Sequence, residues 1–284
     1  MSFLKKLVLF ISSALLISCA PPVSISYTPQ YSNDYGVFLG AMRMDYEKFA
    51  KYKNVAIEIE DIDERGITYA KQYGTKIYAY LSVGSLEEYK EYYYDFKDYT
   101  FMKYDNWASE YWMDVSYEPW QEKMVELAEK FKSLGADGLF LDNFDVYYTV
   151  TELTDWEPSF KESIYQGCRT ILSKLIELDM LITVNSGSTF LERLNEENDP
   201  LLSKIDWYAQ ETVFTSIIEY NGDIFGRQNE EDKKYYLEVI EMMKKTSKIL
   251  LIEYTKEQDM IIEIKQYADE NGLCFYIASS VLLD

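Results

Sequence analysis

Asp142 closes the apolar run Gly-Leu-Phe-Leu-Asp, Asp145 follows three residues later, and Glu211 closes the run Trp-Tyr-Ala-Gln-Glu. A carboxylate at the end of a segment that has just entered a core is costly unless it is paired, hydrated at an opening, or used. Two carboxyl groups facing each other across an opening can cleave a glycosidic bond. One, protonated, protonates the leaving oxygen, and the other, ionised, attacks the sugar carbon or activates water. Burial and the neighbouring negative charge raise one pKa and leave the other group ionised. Strand-end carboxylates that merely cap loop amides would give the same spacing, so residue positions alone leave both readings open. The chain has no histidine, which excludes histidine metal sites, Ser-His-Asp triads and Cys-His dyads. Acid-base work therefore falls to carboxylates, tyrosines or lysines, and no metal or cofactor is expected.

The elements that must position these groups alternate regularly. Strands are expected at Tyr-Gly-Val-Phe-Leu-Gly from Tyr35, Asn-Val-Ala-Ile-Glu-Ile-Glu from Asn54, and at similar runs from Lys76, Asp137, Leu181, Asp206, Lys248 and Leu273. Between them lie amphipathic helical patterns. The clearest has Pro119 in its first turn, repeats apolar residues at Trp120, Met124, Leu127, Ala128 and Phe131, and stops at Gly135. Eight strands alternating with helices predict an α/β chain folded as a single (β/α)8 TIM barrel over residues 35–284. The rival, an open doubly wound sheet, lacks its Gly-rich phosphate loop here. Barrel active sites lie at the C-terminal strand ends. Those ends are Gly84, Asp142, Asn185, Glu211 and Glu253 with Tyr254 on strands three to seven. Asp142 and Glu211 end the fourth and sixth strands, which share a layer.

Other rim residues are weaker candidates for substrate binding. Asp145 suits a sugar amino group or a loop cap, and Asn185 a sugar hydroxyl or the turn in Asn-Ser-Gly. Tyr80, Trp112 and Tyr254 could stack on pyranose faces or pack as core. Glu58, near the end of the second strand, is a further binding candidate. Glu253 competes with Glu211 as the second carboxylate.

The first residues carry Lys5 and Lys6, an apolar run from Leu7 to Ile17, and small residues around a cysteine, which reads as an export signal. Leu-Ile-Ser-Cys19 resembles the bacterial lipoprotein box, with residues 1–18 as signal peptide, lipidation at Cys19, and residues 19–34 as a tether; an ordinary cleaved signal is the alternative. The expected place is the bacterial cell envelope, extracytoplasmic, touching the membrane through the lipid anchor alone. Of the other cysteines, Cys168 and Cys274 read as buried small residues, without spacing that supports a disulfide. The formal charge of -21, from 49 Asp and Glu against 28 Lys and Arg, argues against nucleic acid; it suits a cationic or neutral ligand, or serves only to keep the protein in solution.

The succession YLSVGSLEEY, YWMDVSYEPWQEKM, GADGLFLDNFDVY, ITVNSGSTFLERL and IDWYAQETVF resembles the glycoside hydrolase 114 family, the endo-α-1,4-polygalactosaminidases, over nearly the whole mature chain. The resemblance implies a (β/α)8 barrel acting on a galactosamine-containing exopolysaccharide, with Asp142 as nucleophile and Glu211 as acid/base. Two departures stand out. The second strand runs Ile-Glu-Ile-Glu-Asp-Ile-Asp where relatives often end on an aspartate, so Glu58, Asp61 or Asp63 could each occupy that place, and no basic residue follows the last strand. A sugar-binding lipoprotein without turnover, and a hydrolase of a different glycan, are the alternative readings.

Overall fold

The computed structural model describes residues 33–41, 46–104, 107–153 and 155–284. The export segment, Cys19 and most of the tether lie outside them. In chain order the strands are β1 (Asn33–Phe38), β2 (Tyr52–Ile57), β3 (Lys76–Ser82), β4 (Ser85–Glu87), β5 (Thr100–Lys103), β6 (Glu110–Met113), β7 (Gly138–Asp142), β8 (Leu181–Asn185), β9 (Trp207–Glu211), β10 (Thr215–Glu219), β11 (Ile224–Arg227), β12 (Lys248–Tyr254) and β13 (Cys274–Ala278). The longer helices are α1 (Glu64–Gln72), α2 (Glu118–Leu134), α3 (Pro158–Ile176), α4 (Ser188–Glu196), α5 (Glu230–Met243) and α6 (Gln258–Asn271).

Eight strands form one parallel sheet in the order β1-β2-β3-β7-β8-β9-β12-β13. The sheet curls into a nearly closed barrel surrounded by helices, so the (β/α)8 expectation holds, strand for strand. At the seam between β1 and β13 the Phe38 and Tyr276 rings meet edge to face at 5.5 Å, and the Gly40 amide donates to the Leu283 carbonyl at 3.3 Å. These contacts bring the C-terminal residues up to the mouth.

Strand alternation decides which side chains enter the barrel. Tyr35, Ala56, Tyr78, Phe140, Ala209, Leu250, Ile252 and Tyr254 fill the interior, whereas Val55, Ile77, Leu139, Leu141, Ile182, Val184, Tyr208 and Leu251 pack under the helices. Continuing the inward parity one step past the filled interior gives Glu58, Tyr80, Asp142, Asn185 and Glu211. Helix α2 closes on the barrel with Trp120, whose indole N–H donates to the Val83 carbonyl at 2.9 Å, and it ends at Gly135 in the left-handed region. Cys168 is buried and Cys274 half-buried, and both are free thiols.

Two excursions rise from the mouth that strand counting does not anticipate. One is a three-stranded antiparallel sheet, β4-β6-β5, inserted between β3 and α2; the other is the β10-β11 hairpin inserted after β9. They stand above the barrel as walls. Among the described residues no helix is long and apolar enough to cross a membrane.

Candidate active site

The mouth opens into a cleft of about 1660 Å3 that holds Asp142, Asn185 and Glu211 at its floor. Asn185 joins the other two. Its Nδ2 donates to Asp142 Oδ1 at 2.9 Å and to Glu211 Oε1 at 2.7 Å. Asp142 also accepts the Tyr80 hydroxyl on Oδ2 at 3.0 Å and its neighbour's amide, Asn143 N, on Oδ1 at 2.9 Å. Glu211 accepts the Tyr254 hydroxyl on Oε2 at 2.7 Å. Asn185 is only 3% exposed and its Oδ1 has no hydrogen-bond partner, an acceptor left open at the centre of the site. A buried acceptor without a donor costs about 1–3 kcal/mol, which a donor brought by a ligand would recover.

The backbone turns sharply behind each of these three residues. Asn143, Ser186 and Thr212 directly follow Asp142, Asn185 and Glu211, and all three have positive φ, at 66°, 53° and 55°. For Thr212, which is β-branched, that conformation is a real outlier. Such strain costs roughly 1–3 kcal/mol per residue and survives where the surroundings over-determine it. Here the surroundings are visible. Asn143 shares its side-chain amide among Ser82 Oγ, Ser85 Oγ and Glu110 Oε1 at 2.9, 3.0 and 3.2 Å. The amides of Ser186 and Thr212 donate to Ala209 and Ile252 carbonyls at 2.8 and 2.9 Å, continuing the sheet ladder.

Electrostatics at this floor are those of carboxyls taken out of water. Burial, and then the charge of Glu211, push the Asp142 carboxyl up to about 8, against the pull of Asn185 and Tyr80. Burial pushes Asp145 up to about 6; it lines the same cleft and accepts the Gly187 amide at 3.1 Å. Gly187 makes this possible by adopting φ +70°, which a side chain would resist. Glu58 is raised to about 7 by burial although Lys90 Nζ lies 3.3 Å from it, and Glu110 rises to about 7 for the same reason.

A stability trend follows. These carboxyls are held above the roughly 4 of an unfolded chain, so between pH 4 and 8 the folded state binds more protons and loses stability as pH rises. The melting temperature should therefore fall steadily from pH 5 to pH 8, and Asp142→Asn should flatten part of that fall. A melting temperature that climbs over the interval would contradict it.

The structure brings most of the sequence-derived candidates together and removes three. Glu58, Tyr80, Asp142, Asp145, Asn185, Glu211 and Tyr254 all line the cleft. Tyr80 and Tyr254 bind the carboxylates through their hydroxyls, a use different from the stacking considered above. Glu253 is a correction. It has the outward parity of β12, is 0% exposed, and accepts the amides of Val213, Phe214 and Thr215, each at 3.0 Å, and the Thr215 hydroxyl at 2.6 Å. It anchors the turn after β9 and cannot meet a sugar. Trp112 is a second correction: it lies in β6, buried, with its ring stacked on Tyr104 at 4.4 Å. Gly84 is the third, since it is buried against the backbone of Asn143, whose carbonyl oxygen a Cβ would strike.

Several cleft residues had no signal in strand periodicity. Glu87, Lys90, Trp107 and Glu110 come from the β4-β6-β5 insertion and Tyr220 from the β10-β11 hairpin. Eleven Asp and Glu line the cleft against four Lys, a local excess of negative charge. Among the described residues no group of three or more acidic or cysteine side chains is placed to hold a metal ion.

The comparisons with known proteins point the same way. The sequence pattern of the glycoside-hydrolase family GH114 matches residues 24–281. The glycoside hydrolase domain of PelA from Pseudomonas aeruginosa superposes with a TM-score of 0.74 at 17% identity, over 88% of this chain and 96% of that one. Aspergillus fumigatus Ega3, solved in complex with galactosamine, superposes with a TM-score of 0.65 at 16% identity, over 91% of this chain and 95% of that one. Likenesses at such identity speak to the fold. No curated protein sequence matches the chain.

Proposed function

Since this chain belongs to glycoside-hydrolase family GH114, we propose that Asp142 and Glu211 are the working pair of an endo-acting, retaining glycosidase for an α-1,4-linked, galactosamine-containing polysaccharide. The observation that carries the reading is the single amide nitrogen of Asn185 bonded to both carboxylates at the floor of an open cleft. Bonds of 2.9 and 2.7 Å from one atom keep the facing oxygens closer than the ~6.5 Å at which inverting pairs begin. That spacing leaves no room for a water between sugar and carboxylate, so the carboxylate itself attacks.

In this mechanism Asp142 is the nucleophile. Three donors, from Tyr80, Asn143 and Asn185, are arranged to steady its full negative charge, against two at Glu211. Before substrate enters, burial and then the charge of Glu211 raise the Asp142 carboxyl. A protonated sugar amine entering beside Asp142 and Asp145 lowers both, so Asp142 attacks as the carboxylate while Glu211 serves as the acid. Asp142 then forms an ester bond to the anomeric carbon as the glycosidic C–O bond breaks and the leaving oxygen takes the proton of Glu211. Glu211, now a base, takes a proton from water, whose oxygen displaces Asp142 with a second inversion.

The acidic lining supports a cationic, partly deacetylated polymer as substrate, and Ega3 was solved with galactosamine. The KM for such a polymer should rise several-fold between about 0.05 and 0.5 M salt as the Debye length shrinks, with kcat nearly constant. A salt-independent KM would speak against charge attraction. The direct test is incubation of the domain with α-1,4-polygalactosamine, scoring new reducing ends and, by NMR, their initial anomeric configuration. Binding without new ends would make the chain a sugar-binding protein instead. The resemblance of Leu-Ile-Ser-Cys19 to a lipoprotein box supports an envelope location.

A further inference from the structure

The two excursions above the mouth meet each other. The Trp107 ring, carried between β5 and β6, and the Tyr220 ring, at the turn between β10 and β11, touch edge to face at 5.5 Å with their planes 75° apart. Both line the cleft that holds the carboxylate pair. One wall leaves the barrel after β3, beside the strand that carries Asp142, and the other after β9, the strand that carries Glu211. The contact therefore joins the two walls of this cleft. Burial and then the charge of Glu211 raise the Tyr220 hydroxyl, which shares the cleft with the carboxylate pair.

We infer that Trp107 and Tyr220 form a sugar-stacking clasp, a binding subsite for the apolar face of a pyranose ring in a chain that extends beyond the bond being cleaved. An edge-to-face pair leaves the faces of one ring uncovered by the other, and Trp107 keeps 38% of its surface exposed. Axial C–H groups of a hexopyranose pack on such a face. The rest of the cleft recognises charge and hydroxyls, whereas this pair recognises the ring itself. A two-sided roof also explains why two unrelated insertions converge: a polymer lying in the groove is held from above by the touching pair. Short sugars that occupy only the floor never reach the clasp.

The inference rests on the glycan reading of the floor, and the experiment separates the two. Isothermal calorimetry in the Glu211→Gln background would compare an α-1,4-galactosamine hexamer with the dimer, before and after Trp107→Ala or Tyr220→Ala. The expected result is a loss of hexamer affinity of about tenfold or more for each substitution, a dimer affinity unchanged within about twofold, and recovery in Trp107→Phe. Hexamer affinity unchanged in both alanine variants would overturn the clasp while leaving the active site standing. Equal losses for hexamer and dimer would also overturn it, since they would mean damage to the floor. No hexamer binding by the Glu211→Gln parent would remove the galactosamine reading, and the clasp with it. Because binding alone is measured, turnover does not enter the outcome.

Discussion

Replacing Asp142 by Asn or Glu211 by Gln should each lower kcat by roughly 10³-fold or more, the scale on which loss of a nucleophile or a positioned acid is felt. Both changes keep side-chain volume, and each residue is already held by neutral donors, Tyr80 and Tyr254, so the barrel should fold normally. The two variants should differ in kind. Removing Asp142 by substitution to Ala opens space where a small anion such as azide can attack, giving a glycosyl azide of inverted configuration. Removing Glu211 should spare substrates with good leaving groups, which need no protonation, and restore rate with them alone. Full activity in either variant would take that residue out of the mechanism, and the opposite rescue pattern would exchange the roles.

The second large effect is expected at Asn185. Its Nδ2 stands between two carboxylates and lowers the cost of their proximity, so Asn185→Asp should replace a donor with a third acceptor and reduce kcat by about 10²–10³-fold, the usual loss for a preorganised donor. The sign of the pH effect follows from the same bond. Asn185 holds the Asp142 carboxyl down against burial and Glu211; without the donor that pKa rises further. The nucleophile must be ionised, so the acidic limb of kcat/KM should move to higher pH. A residue that only shaped the fold would lower activity without moving that limb. Activity within about threefold of the parent and an unmoved limb would refute the role.

The barrel is legible in the sequence because its strands are bounded by turn residues and its helices keep a 3.6-residue repeat, and both signals are local. Asp142 and Glu211 are legible as well, because they end apolar runs whose order around a barrel sets them two strands apart. Glu253 misleads as a strand-end carboxylate, and the reason is also written in the sequence. In Lys-Ile-Leu-Leu-Ile-Glu-Tyr the alternation puts Leu250, Ile252 and Tyr254 inside, so the glutamate faces outward and the tyrosine takes the place at the mouth. Parity, followed one step further, prefers Tyr254. The bridging use of Asn185 is not legible, since a single nitrogen serving two strands is a fact of three-dimensional register. Nor are the left-handed residues at Asn143, Ser186 and Thr212, because that conformation at Thr212 contradicts its local preference and is imposed from outside. The walls escape notice because short antiparallel strands such as Ser85–Glu87 carry too little periodicity to stand out from loop.

The seam that joins the Gly40 amide to the Leu283 carbonyl also places Val281, Leu282 and Leu283 along the cleft itself. Fusing an affinity tag or reporter behind Asp284 would hang it beside the entrance for the polymer, whereas the same cargo placed ahead of Asn33 would sit at the barrel's base. For immobilisation or labelling, the choice of end decides whether substrate has a clear approach.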